Sequence, residues 1–134
     1  MAHVIAAEDE PEIQQLLRLI LERAGHTVIV VGDGAAVLAA VAEHRPDLVL
    51  LDLGLPHVGG LDLCRALRGD PATGALPIGV VSGQITPPFT AVYDAGATAV
   101  LVKPFTRAQL LELVDTLSAV PVAPSRPGSA DQYA

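Results

Sequence analysis

The chain contains no tryptophan, one cysteine and one methionine, and its aromatics are two tyrosines and two phenylalanines. Of its eight Lys and Arg residues, only Lys103 is a lysine. Each scarcity narrows the options. A lone Cys64 excludes an intrachain disulfide, and at helical spacing it reads as a small core residue rather than a nucleophile. No apolar run reaches the roughly 20 residues that a membrane-spanning helix needs. The N-terminus, "MAHVIAAEDE", lacks a basic segment and meets acids at once, so a secretory signal is not expected and a cytoplasmic setting is. Basic charge is scarce as well. A net charge of -7 argues against direct nucleic-acid binding by this segment, because phosphate contacts need a basic face.

What is present is apolar and periodic. The 134 residues are 51% hydrophobic, enough for one domain with one real core. "HVIAA" (His3 to Ala7) reads as a buried strand. Pro11 suits the first turn of a helix whose apolar face is Ile13, Leu16, Leu17, Ile20 and Leu21, stopped at Gly25. "TVIVV" (Thr27 to Val31) is a β-branched strand, and Val37, Leu38 and Val41 mark the next helix. "DLVLLDL" (Asp47 to Leu53) is a third strand, and Leu61, Cys64 and Leu67 mark a third helix. "PIGVVS" (Pro77 to Ser82), a poorer helix around Phe89 to Ala95, and "AVLV" (Ala99 to Val102) follow. Thr106 with Gln109 forms a capping box for a last helix carrying Leu110, Leu113, Val114 and Leu117. Strand and helix thus alternate five times, and the strands are continuous apolar runs. That pattern predicts an α/β fold with a parallel sheet covered on both faces. Residues 1–120 read as one domain; 121–134, rich in Pro, Ser and Ala, read as a flexible tail or the start of a linker.

In such sheets the working site lies beyond the carboxyl ends of the strands. Glu8 and Asp9 stand at that end of the first strand, Asp52 of the third, Ser82 of the fourth and Lys103 of the fifth. Each has a plain structural reading: acids before Pro11 favour a helix N-terminus, and a lysine can extend its ammonium to solvent. Their joint placement is the specific signal. Carboxylates set together repel. A hard divalent cation such as Mg²⁺ resolves that conflict with oxygen ligands, and no His or Cys cluster points to zinc. The four histidines, His3, His26, His44 and His57, are scattered and read as surface residues, and Asp62 as a solvated helix charge.

"EDEP" (Glu8 to Pro11), "LLDLGLP" (Leu50 to Pro56), "VVSG" (Val80 to Gly83) and "VKPF" (Val102 to Phe105) resemble, in order and spacing, the receiver domain of bacterial two-component response regulators. The resemblance covers about residues 3–119. It implies a flavodoxin-like doubly wound sheet of five parallel strands, order 2-1-3-4-5, with five helices. Asp52 would be the phosphoacceptor, taking a phosphoryl group from a phosphohistidine on a sensor kinase or phosphotransfer protein. Asp9, Asp52 and the Gly54 carbonyl would hold Mg²⁺, with Glu8 acting through water. Ser82 and Lys103 would contact the phosphoryl group, Lys103 pairing with Asp52 beforehand, and the Lys103–Pro104 bond would be cis. Such a domain switches an output domain or partner protein, in some cases as a homodimer. It is not an enzyme beyond catalysing its own phosphoryl transfer and dephosphorylation.

Several positions depart from the family's usual residues. Glu8 stands where Asp is commoner, keeping the charge with a longer reach. Gly54 puts no side chain over the site, and Gln84 lies two residues past Ser82; both would tune the phosphate's lifetime. Val100 replaces the family's Tyr or Phe three residues before the lysine, and Pro87 with Pro88 reshapes the start of the fourth helix. The alternative reading is a pseudo-receiver, a protein-interaction module that works without phosphate. A phosphoaspartyl hydrolase would want a second Asp at position 54. A flavin-binding relative would want a phosphate loop where "EDEP" stands.

Overall fold

The computed structural model describes residues 1–119 of the chain; the tail expected at 121–134 lies outside them. Five strands, β1 (His3–Ala7), β2 (Thr27–Val31), β3 (Leu48–Leu51), β4 (Ile78–Ser82) and β5 (Ala99–Val102), alternate with five α-helices. These are α1 (Pro11–Arg23), α2 (Val37–His44), α3 (Gly60–Gly69), α4 (Thr90–Ala95) and α5 (Arg107–Ser118). A short 3₁₀ turn, Gly34–Ala36, precedes α2. The sheet is parallel throughout, in the order β2-β1-β3-β4-β5. The expected fold class and strand order both hold.

The strand period of two splits the core in two. Ile5, Ala7, Val49, Leu51, Ile78 and Val80 pack with residues of α2, α3 and α4. Val4, Ala6, Leu48, Leu50 and Val81 point the other way, onto α1 and α5. Alternating side chains on a strand must do this, and both faces are apolar because helices cover both. Cys64 is buried in the first layer. Burial pushes its thiol up to about 11, so at neutral pH it is an inert core residue.

The helix ends follow the expected chemistry. Pro11 is the first residue of α1, and Thr106 and Gln109 form the full capping box of α5. His26 departs from the surface expectation: it is half-buried and its Nδ1 accepts the Ala2 N–H at 2.9 Å. At Gly60 there is no room for a side chain. A Cβ there would lie 2.5 Å from the Asp52 carbonyl oxygen and 2.8 Å from Leu53 Cα. The start of α3 is therefore pressed against the loop that carries Asp52. Gly69, at the far end of the same helix, would give a Cβ nothing within 4 Å. Gly60→Ala should lower stability by about 1–3 kcal/mol through overpacking. Gly69→Ala should raise it by roughly 0.5–1 kcal/mol, since alanine loses less backbone entropy in a helix. Urea-unfolding midpoints moving in opposite directions are expected; equal midpoints would refute the packing account.

Candidate functional site

The side chains of Glu8, Asp52 and Lys103 continue the phase of Val4 and Ala6, Leu48 and Leu50, and Ala99 and Leu101, all of which face α1 and α5. Three separate strands therefore deliver two acids and one ammonium to the same face. The backbone holds each in place. Glu8 N–H donates to the Val31 carbonyl at 2.9 Å, Asp52 N–H to the Ala7 carbonyl at 3.1 Å, and Lys103 N–H to the Ser82 carbonyl at 3.0 Å.

Lys103 Nζ lies 2.6 Å from Glu8 Oε1 and 3.0 Å from Asp52 Oδ2. Glu8 Oε2 accepts the Glu10 N–H at 3.1 Å, and Asp52 Oδ1 accepts the Gly54 N–H at 3.3 Å. Glu8 is only 1% exposed and Asp52 7%. Burial raises the Glu8 carboxyl above its ordinary range, and the hydrogen bond and charge of Lys103 only partly reverse that. For Lys103, burial opposes the charge, but its bonds to Glu8 and Asp52 and their charges prevail and hold its pKa above normal. Both shifts report one balance: the pair's attraction offsets much, but not all, of the cost of taking Glu8 from water. The sequence reading paired Lys103 with Asp52 alone; the structure adds Glu8 as the nearer partner. It also adds Glu10, whose largely exposed carboxylate comes within 3.8 Å of the ammonium. The sequence reading gave Glu10, within "EDEP", only the role of an acid before a helix N-terminus.

Asp9 is exposed at the rim. One carboxylate oxygen from each of Glu8, Asp9 and Asp52 can be chosen so that all three lie within 4.8 Å of one another. Three acids against one ammonium leave an excess of negative charge, and every donor is a hard oxygen. The set suits a divalent cation such as Mg²⁺ and not a zinc ion.

The other expected residues lie close by but are not joined to this cluster. Ser82 is fully buried and continues the opposite phase, that of Ile78 and Val80. Its hydroxyl accepts the Gln84 N–H at 3.1 Å and makes no hydrogen bond to the carboxylates. The Gln84 side chain lies over Gly54: a Cβ on Gly54 would meet Gln84 Nε2 at 2.8 Å. Val100 packs into the α2, α3 and α4 layer, while Tyr93 is well exposed on α4. The peptide bonds Pro87–Pro88 and Lys103–Pro104 are both cis. One further contact escaped the sequence reading. His57 Nδ1 meets Asp33 Oδ2 at 2.6 Å, and the Gly34 N–H donates to the Pro56 carbonyl at 3.1 Å. Together they tie the loop after β2 to the loop after β3.

A parallel α/β sheet with an acid cluster and a lysine at its carboxyl edge defines a class of phosphate-handling signalling domains, and comparison with known proteins gives the family. Residues 4–115 match the response regulator receiver domain, and the chain belongs to that family. It is 37% identical over 112 residues to the DNA-binding response regulator MtrA of Mycolicibacterium smegmatis, covering 83% of this chain and 48% of that protein. It thus spans about half the length of the curated relatives it matches. Among solved structures it resembles the chemotaxis response regulator CheY4 of Vibrio cholerae, with TM-score 0.82 and 30% identity over 87% of this chain and 98% of that one. It also resembles the receiver domain of the sensor histidine kinase PA1611 of Pseudomonas aeruginosa, with TM-score 0.80 and 25% identity over 87% and 97%. Among the described residues no helix is long and apolar enough to cross a membrane.

Replacing Lys103 would leave two buried carboxylates without their cation. Lys103→Met should cost about 3 kcal/mol in the absence of divalent ions, the usual loss when one partner of a buried pair is removed. Adding Glu8→Gln should restore part of it. Urea unfolding in chelator checks both, and an unchanged midpoint for Lys103→Met would count against a stabilising ion pair.

Proposed function

We propose that the chain accepts a phosphoryl group on Asp52 from the phosphohistidine of a sensor histidine kinase or phosphotransfer protein. The observation that carries this reading is the Asp52 carboxylate itself. It is nearly buried, held at Oδ2 by an ammonium, and set among acids that call for a cation. Oδ1 is the freer oxygen, because its one hydrogen bond, from Gly54 N–H, is long at 3.3 Å. In the transfer, a bond forms between this oxygen and phosphorus. The N–P bond of the donor breaks, and the imidazole keeps the electron pair and then takes a proton.

The residues supply position and charge, which are the main demands of phosphoryl transfer. Asp9, Asp52 and the Gly54 carbonyl would hold Mg²⁺, with Glu8 behind them. Bound there, Mg²⁺ neutralises the oxygens of the incoming phosphoryl group. Lys103 already sits on Asp52 and supplies a second positive charge. Ser82 must turn from the Gln84 N–H to reach the phosphoryl oxygens, and Gln84 over Gly54 limits the approach of water. The magnesium coordinated in the active-site cleft of the PA1611 receiver domain supports the cation assignment.

In this reading residues 1–120 form the receiver unit. Phosphorylation biases a two-state loop that controls an output domain or partner protein, with a homodimer as one arrangement. The relatives' extra length and the name of the DNA-binding regulator MtrA support an output domain elsewhere. The chain acts in the cytoplasm and turns over only its own phosphate, so it is not an enzyme in the usual sense. The acids and Lys103 stand together in contact, which weighs against a module that works without phosphate.

Incubation with acetyl phosphate and Mg²⁺ should add one phosphoryl group by intact mass. Asp52→Asn and chelator should each abolish the gain. If the wild type gains nothing from acetyl phosphate or from any sensor kinase, the proposal fails.

A further inference from the structure

The turn at residues 32–34, after β2, carries none of the groups placed in the site, yet it touches both loops that carry the acids. On one side it runs against the start of the β1–α1 loop. A Cβ on Gly32 would lie 3.1 Å from Gln14 Nε2 and 3.8 Å from the Glu8 carbonyl oxygen, and Gln14 Nε2 donates to that same carbonyl at 2.6 Å. On the other side it is pressed onto the loop between Asp52 and α3. Gly34 is buried, its N–H donates to the Pro56 carbonyl at 3.1 Å, and a Cβ there would overlap the Val58 carbonyl. Asp33, between the two glycines, adds a side-chain tie. Its Oδ1 accepts the Ala35 N–H at 2.7 Å and its Oδ2 meets His57 Nδ1 at 2.6 Å. The Ala35 N–H first, and His57 after it, hold the Asp33 carboxyl below its ordinary range, which keeps it an ionised acceptor at neutral pH. His57 itself sits at φ 70, a conformation that residues other than glycine resist and that the contacts around it maintain. The His57 and Asp33 side chains are 70% and 39% exposed, and an exposed pair adds little to stability. What it fixes is a distance.

We propose that Asp33, Gly34 and His57 are positioning residues: the turn after β2 sets the separation between the loop of Glu8 and Asp9 and the loop of Asp52 and Gly54. This rests on the receiver reading for the cation that those loops would hold; the contacts of the turn stand apart from it. Strands β2 and β3 flank β1, so the loops that follow them meet beyond the end of β1, where the chain turns into Glu8 and Asp9. The roots of the frame are fixed by the Glu8 N–H on the Val31 carbonyl and the Asp52 N–H on the Ala7 carbonyl. Past Asp52, residues 53–59 take their hydrogen bonds from other segments only at this turn, among the described residues. The turn is thus the lateral support of the loop that follows the phosphoacceptor. Mg²⁺ demands near-octahedral geometry at short distances, so a slack loop offers its oxygens at the wrong spacing.

Exchanging the side-chain tie tests this without forcing the backbone apart, as an added Cβ at Gly34 would. His57→Asp sets two carboxylates face to face and breaks the tie. In the double variant Asp33→Asn, His57→Asp, an amide N–H again faces a carboxylate and the amide oxygen keeps the Ala35 N–H. Its net charge equals that of the wild type with a neutral His57. Cation binding is read from water-proton relaxation during a Mn²⁺ titration, and phosphoryl gain from acetyl phosphate by intact mass. His57→Asp should weaken Mn²⁺ binding about three- to tenfold, the range to which loss of roughly one hydrogen bond converts. The double variant should recover most of it. Charge acting through space predicts the reverse for His57→Asp, since a further carboxylate beside the acids strengthens their pull on a cation. Unchanged or tighter binding in His57→Asp overturns the proposal. So does a double variant that binds no better than the single one, or a wild type that binds no Mn²⁺. A protein that passes these measurements yet takes no phosphoryl group from acetyl phosphate or any sensor kinase would sink the receiver reading and leave the role of the turn standing.

Discussion

The site depends on one ammonium reaching across the sheet. Lys103 follows the edge strand β5, Asp52 follows β3, and β4 lies between them. Two strand spacings are about 10 Å, a span that suits the four-carbon stem of lysine with its compact charge. The way is open because Ser82, at the end of β4, faces the other layer. The next residue in the lysine's phase is Gly83, where a Cβ would come only to ordinary contact, 3.7 Å from Lys103 Cβ. The charge at the end of an apolar run is the counter-charge for two buried acids delivered by other strands.

This also accounts for how much the sequence revealed. Apolar runs ending in a charge mark strand ends, and a parallel sheet collects those ends on one edge, so Glu8, Asp9, Asp52 and Lys103 could be assigned to one site. The capping box of Thr106 and Gln109 was readable because it is local. Contacts set by side-chain direction between distant segments were not. Glu8 and Lys103 are 95 residues apart, and their contact depends on where two side chains from distant strands point. The fit of Gln84 over Gly54 and the tie of Asp33 to His57 depend on loop paths that no local pattern encodes. The same holds for Arg68. Its half-buried guanidinium donates to the carbonyls of Gly96 and Leu76 and to the Thr98 hydroxyl, closing the opposite end of β4 and β5.

The two faces of the sheet divide the proposed work. The acids and the lysine lie on the face of α1 and α5, where the strands and both long helices fix them. Ser82 and Val100 lie on the other face, against the short helix α4, which buries only Val92 and Ala95. Phe89, just before α4, has φ 56 and packs against the same layer as Val100. With valine at position 100 there is no ring to swing inward. In the proposed reading a change at Asp52 reaches this face through the end of β4, where Ser82 falls in the phase of Ile78 and Val80 and Gly83 in that of Val81. In that reading the hydrogen bond from the Gln84 N–H to the Ser82 hydroxyl is the contact Ser82 exchanges when it turns toward the phosphoryl group. Its loss frees the backbone of the loop leading to α4, a segment with few buried contacts and hence little to resist rearrangement. In the proposed reading the β4–α4 backbone carries the message from chemistry to output, since β5 (Ala99–Val102) holds no aromatic side chain.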